Sequence, residues 1–293
     1  MAVAPIEVRD ARFSIGPDVP KHWNRGRRSV TIFFDNLSVF FPVGERFFIQ
    51  AVRAHRRHVE GDPELVAAVA AFCAQEGIHG REHTRYNEAL RAHGYPVDAM
   101  EGAVDRLLVM VKKRLPRRKQ LAVTAALEHF TALLANAVLS DPRLLEGADE
   151  TMASLWRWHA AEEAEHKAVA FDVYRAAKGP YRERVAIMLL ASAIFWAKIA
   201  EHQVKMMHAD GIATSPREWA KLFEFLFVSP GAMRKLVPGY LDYFRPGFHP
   251  WQRDDDRELL ERWKRNEAPA ARAQTPRAVS STDGLTSTGS VTG

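Results

Sequence analysis

The spacing Glu-x-x-His occurs twice in the chain, at Glu76–His79 and at Glu163–His166, eighty-seven residues apart. A helix turning about 100° per residue sets such a pair on one face, one turn apart, where a carboxylate and an imidazole can reach the same metal ion. One pair alone carries little weight, because a chain with 12 histidines and this many acids is expected to hold one by chance. Two pairs, each inside a helix-like pattern, constrain the fold much more. The segments that hold them must be helices, and the rest of the chain must be organised around those two helices.

The intervening sequence supplies the other helices. Residues 1–28 contain Pro5, Gly16, Pro17, Pro20 and Gly26 with little periodicity, which predicts an extended arm laid over the surface. From Val30 onward Phe33, Phe34, Leu37, Phe40, Phe41, Phe47 and Phe48 recur at helical spacing, with Glu45 set among them. Pro42 and Gly44 just before it predict a kink or a restart of this first helix. Asp62-Pro63 signals the start of a second helix over residues 65–90, which carries Glu76, His79, His83 and Tyr86. A shorter helix, 100–113, and a basic connection lead into a third long helix, 117–139, where Glu128 is a lone acid among apolar residues. A fourth, 149–177, carries Glu163 and His166. Helical patterns continue over 185–208, 216–228 and 254–264. The Ala, Pro, Ser, Thr and Gly residues of 266–293 predict a disordered tail. The expectation is an all-α chain, with one helical domain over 29–265.

Composition and charge exclude some partners. Net charge is +5 with 41 basic and 36 acidic residues interspersed, a mixed solvated surface rather than a nucleic-acid face. The densest basic run, Lys112 to Lys119, is broken by Pro116 and has no aromatics interleaved for base stacking. The thirteen uncharged residues 185–197 fall short of the roughly twenty needed to cross a bilayer. They predict a buried core helix or a subunit interface in a homodimer, with peripheral membrane contact as the lesser reading. The single cysteine, Cys73, excludes an intrachain disulfide framework. With no secretory pattern at the N-terminus, a cytoplasmic address is expected.

The acids that interrupt apolar helical faces run in the order Glu45, Glu76 with His79, Glu128, Glu163 with His166. The gaps from lone to paired acid are 31 and 35 residues, which suits an antiparallel helix hairpin used twice. Four carboxylates and two imidazoles inside a four-helix bundle supply two metal ions. This arrangement resembles the ferritin-like di-iron carboxylate superfamily. The longer signature, Phe41-Pro42-Val43-Gly44-Glu45-Arg46-Phe47-Phe48 with Glu76 to His83 and Glu163 to Lys167, resembles the bacterial family catalogued as predicted metal-dependent hydrolases. The resemblance implies a ferritin-like four-helix bundle with additional C-terminal helices, and Glu45, Glu76, His79, Glu128, Glu163 and His166 as metal ligands.

Carboxylate-rich donors with one imidazole per ion point to iron first and manganese second, since structural zinc prefers thiolates. Such a centre suits O2-dependent oxidation or oxygenation of a small or hydrophobic organic substrate, with an electron donor as partner. The alternatives are hydrolysis by a metal-bridging hydroxide and a non-enzymatic iron-binding bundle. His83, one turn beyond His79, is a candidate extra ligand or a group behind the ligands. Asp172 is a candidate hydrogen-bond partner for a ligand imidazole, or else a surface acid. Tyr86 is an electron relay or a core residue. Glu162 and Glu165, lacking the offset to His166, are assigned to flanking faces.

Overall fold

The computed structural model describes residues 6–16, 18–252 and 255–266. Among these the chain is all-α, with no strand beyond one bridged pair, Asn24 and Ala148. Four helices hold the predicted site residues: α1 (Arg28–Arg53), α2 (Pro63–Ala92), α4 (Arg117–Ser140) and α5 (Glu150–His166), with α3 (Val97–Arg114) between α2 and α4. Their starts follow the sequence signals. Asp62 accepts the Leu65 N–H at 3.0 Å with Pro63 in the first turn of α2, and Asp149 accepts the Met152 N–H at 3.2 Å.

Two local expectations are corrected. α1 runs unbroken through Pro42, where a kink or restart is predicted. Pro42 has no N–H to offer the Ser38 carbonyl four residues back. That carbonyl accepts instead from Asn87 Nδ2 of α2 at 3.3 Å. The predicted fourth helix is split into α5 and α6 (Val169–Ala176), and the interruption directly follows His166. There Lys167 turns its ammonium over the Trp251 ring, 4.3 Å from the centroid.

The direction of the helices follows from two apolar clusters. One gathers Phe33, Phe34 and Leu37 of α1, Leu90 of α2, Leu133 of α4 and Leu155 of α5. The other gathers Phe48 and Val52 of α1, Phe72 of α2, Leu121 of α4 and Val173 of α6. Thus α1 and α5 run from the first cluster to the second, α2 and α4 run back, and α3 carries the chain across. Glu76 and His79 of α2, Glu128 of α4, and Glu163 and His166 of α5 lie in the stretches between the clusters. The site is therefore sealed by apolar packing at both ends.

The N-terminal segment does more than cover a surface. Among the described residues 6–16 and 18–27 there is no helix, yet Phe13, Val19 and Trp23 join the first cluster, and Phe13 donates its N–H to Glu82 at 3.0 Å. Beyond α6 come α7 (Tyr181–Ala209), α8 (Pro216–Phe223) continued by a π-helical turn (Glu224–Val228), α9 (Ala232–Asp242) and α10 (Asp255–Asn266). By length and composition α4 and α7 are long and apolar enough to cross a membrane. α4 is mostly buried within the protein. α7, for which the sequence predicts a buried core helix or a subunit interface, is not a core helix: its most apolar window is only 28% buried, and Leu189 and Leu190 are about half exposed. The predicted tail lies outside the described residues apart from Asn266.

Candidate metal centre

The structure brings all six predicted ligands together from four helices, each of them almost fully buried. His166 Nε2 stands 3.0 Å from Glu76, 3.4 Å from Glu128 and 3.5 Å from Glu163. His79 Nδ1 lies 3.6 Å from the other oxygen of Glu163. Three overlapping groups have donor atoms within 4.8 Å of one another: Glu76, Glu128 and His166; Glu76, His79 and Glu163; and Glu45, His79 and His159. Glu45 reaches α2 because residue 80 is glycine. A Cβ there would sit 3.0 Å from Glu45 Oε2.

His159 was not foreseen in the sequence. It precedes Glu163 by one turn, with its Nε2 3.1 Å from Glu163 Oε1 and its ring stacked on His79 at 4.2 Å. The i, i+4 offset from Glu163 was a usable signal. The Glu-x-x-His template looks only forward from the acid.

Hydrogen bonds behind the imidazoles fix their tautomers. Asn87 Nδ2 donates to Glu101 and to the Ser38 carbonyl, so Asn87 Oδ1 is an acceptor and Ser38 Oγ donates to it at 2.8 Å. Ser38 Oγ then accepts from His83 Nδ1 at 2.9 Å, which leaves His83 Nε2 to accept from His159 Nδ1 at 2.8 Å. The result is a bare His159 Nε2 facing the carboxylates. Gln75 Nε2 donates to Glu165, so its oxygen accepts from His166 Nδ1 at 2.9 Å. Glu162 accepts from His79 Nε2 at 3.0 Å. His79 and His159 thus turn a lone pair inward, and His166 points its Nε2 at the carboxylates, the orientation that partners behind a metal ligand impose.

The electrostatics of the cluster are those of crowded, dehydrated acids. Burial, then repulsion from neighbouring carboxylates, pushes Glu45 and Glu76 well above the ordinary carboxylate range. For Glu76, His166 pulls the other way. Glu128 is pushed up to about 7 by burial and by Glu163. For Glu163 burial also acts upward, but His166 and His159 outweigh it and hold it well below its usual range. Burial opposes charge on His166, yet Glu163, Glu128 and Glu76 keep it well above the ordinary histidine value. Burial lowers His79 and His83.

The remaining candidates are sorted by their partners. His83 stands behind His159 and belongs to none of the three donor groups. Tyr86 donates to Asp35 at 2.6 Å and stacks on His83. Asp172 does not meet a ligand imidazole; it pairs with His249 Nε2 at 3.0 Å on α6. Glu162 and Glu165, assigned to flanking faces, are both buried, Glu162 behind His79 and Glu165 behind Gln75. They are held by Arg9 from the N-terminal segment, at 3.2 and 2.7 Å. Nothing in the spacing of the arm foretold that contact.

Two apolar recesses touch the cluster. One of about 50 Å³ reaches His159 and Glu163, and one of about 130 Å³ reaches Glu45. A larger groove, about 690 Å³ between α7 and α8–α9, is lined by none of the donors.

A family model described as predicted metal-dependent hydrolase matches residues 7–254. Neither a curated protein nor a solved structure matches the chain.

Proposed function

We propose, from the premise that the chain belongs to the family of predicted metal-dependent hydrolases, that it is a dinuclear metal enzyme. Its centre is held by Glu45, Glu76, His79, Glu128, Glu163 and His166, with His159 as a seventh donor. One observation carries this reading. Ten inward-facing atoms of these seven side chains are buried without a hydrogen-bond partner, among them both oxygens of Glu45, Glu76 and Glu128. Each such atom left without a partner costs about 1–3 kcal/mol, and the contacts of His166 and His159 with Glu76 and Glu163 offset only part of that. Bound cations remove that cost. Four carboxylates are balanced by about two divalent ions.

The donor set suits iron, with manganese as the alternative. Iron bound there would supply O2-dependent oxidation or oxygenation of a small or hydrophobic organic substrate. The chain's own residues orient and exclude: Glu162, Gln75 and His83 hold the three imidazoles with one ring nitrogen turned inward, while Phe40, Phe41 and Phe48 keep water from Glu45. The antiparallel pairs α1/α2 and α4/α5, linked by the α3 crossover, support the ferritin-like reading. Hydrolysis consumes water at the metal, and the recess that reaches Glu45 is apolar, with Thr131 as its one neutral hydroxyl. Such a recess stays dry and admits O2 and hydrocarbon more readily than water.

The second reading, a hydrolase, is favoured by the family description. An oxygen electrode separates the two. Fe(II)-loaded protein with a reductant should consume O2, while Zn(II)-loaded protein should not. Ester or amide cleavage under anaerobic conditions, at equal rates with either metal, would overturn the oxygen reading in favour of hydrolysis.

A further inference from the structure

The recess that ends at Glu45 lies between α1, α3, α4 and α7. Its deep wall is formed by Phe48, Leu108, Ala191 and Glu45, all buried. Its outer lining includes Val111, Leu115 and Leu190, the last of them half exposed. Glu45, Thr131 and Lys198 are the polar side chains among its lining residues. Gly44 opens onto it, and a Cβ there would meet nothing closer than the Phe48 ring at 3.9 Å. At about 130 Å³ the recess approaches the size of an engineered apolar cavity that takes up benzene, which corresponds to a hydrocarbon stretch of about six carbons.

The basic run singled out in the sequence frames this recess. Val111 and Leu115 line it, and Lys112, Lys113 and Arg114 fill the positions between them at the end of α3, with Arg117 and Arg118 just beyond. Glu183 takes up Arg118 and Glu201 takes up Lys198. Exposed Lys112 and Arg114 flank the Val111–Leu115 face of α3, with exposed Arg117 just beyond, and they form a basic edge beside an apolar interior.

We propose that this recess is the substrate site and that its ligand is an amphiphilic anion: an unbranched hydrocarbon chain with a carboxylate or phosphate head. The chain enters from the α3–α4 rim, the head stays among the basic side chains, and the buried carbons lie beside Glu45. The assignment rests on the reading of Glu45 as part of the metal centre for its chemistry, but not for its binding.

Calorimetric titration of the full-length, metal-loaded protein with butanoate, hexanoate and octanoate tests it. Affinity should rise about fourfold per methylene until the recess is filled. Octanoate should bind at least about tenfold more tightly than octanol at low salt, an advantage lost at high salt. Gly44→Leu should fill the recess and abolish chain-length dependence. Charge reversal at Lys112, Arg114 and Arg117, all exposed, should erase the preference for octanoate over octanol and leave octanol binding in place. Co-sedimentation with phosphatidylglycerol vesicles separates a free carboxylate from a bilayer lipid as the source. Vesicle binding lost in both variants supports the site with a lipid ligand, and vesicle binding unaffected by Gly44→Leu contradicts it. Absence of saturable binding of octanoate and of vesicles overturns the proposal, and so does octanoate binding that Gly44→Leu leaves intact. Metal content measured on the same samples shows separately whether the metal centre stands.

Discussion

Glu128 makes the coupling between protons and metal measurable. Its carboxyl is pushed up to about 7, by burial first and by the Glu163 charge second. A carboxyl with a raised folded-state pKa binds its proton more tightly folded than unfolded. Its stabilising contribution is therefore full below about 4.5 and is lost as pH rises through about 7. In chelator-treated protein, urea denaturation should show Glu128→Gln gaining on the wild type by on the order of 3 kcal/mol between about pH 4.5 and pH 8. A difference that does not change with pH would contradict the assignment. His159 gives a second test at this scale. His159→Gln should lower metal affinity by about 10-fold or more while leaving the helical circular dichroism unchanged. Asn87→Leu should have a smaller effect in the same direction, because it frees Ser38 to turn and so loosens the His159 tautomer. Asn87→Leu with an affinity equal to wild type would remove the network from the account. That Glu45, Glu76, His79, Glu128, Glu163 and His166 meet was legible because acids on apolar helical faces stand out against their neighbours. His159 was passed over among the aromatic residues around it, and Glu162 because a buried acid held by a distant arginine leaves no local mark.

Among the elements, the N-terminal segment and the end of α5 depend on one another. Arg9 lies over Glu162 and Glu165, its guanidinium is 5.2 Å from the Trp263 ring of α10, and Lys264 of α10 reaches Glu165 at 3.2 Å. Removing one partner of a buried ion pair costs about 3–5 kcal/mol, because it strands the charge left behind. Arg9→Met should therefore lower the melting temperature and speed proteolysis near the N-terminus; a variant that melts with the wild type would make the contact incidental. α1 and α2 depend on each other in a similar way. Asn87 takes up the carbonyl that Pro42 leaves free, and Gly80 makes room for Glu45. Gly80→Ala adds helix propensity of up to about 1 kcal/mol yet should displace Glu45, so thermal stability should rise or hold while bound metal falls. The sequence marked helix starts well, because Asp62-Pro63 and Asp149 announce themselves through capping chemistry. It misled at Pro42 and after His166, where a partner on another helix or loop decides whether the helix continues. A local rule cannot see Asn87 or Trp251.

For the molecule as a whole, two apolar clusters hold four helices so that seven side chains able to hold a metal face one another in a buried interior. The order of acids and histidines along the chain was enough to anticipate the all-α class and the pairing of α1 with α2 and of α4 with α5. The exposed apolar face of α7 falls among the alternatives that the sequence left open, since an uncharged run reads the same whether it is buried or left at the surface. The most direct test of the central claim is the metal-to-protein ratio after anaerobic loading with Fe(II) and removal of unbound metal, measured by mass spectrometry of the digested protein. The account predicts about two ions per chain for the wild type. It predicts loss of most bound metal in a Glu76→Gln, His166→Ala variant that keeps its helical content. A wild-type chain holding fewer than about one ion, or a variant that retains the full ratio, would contradict it.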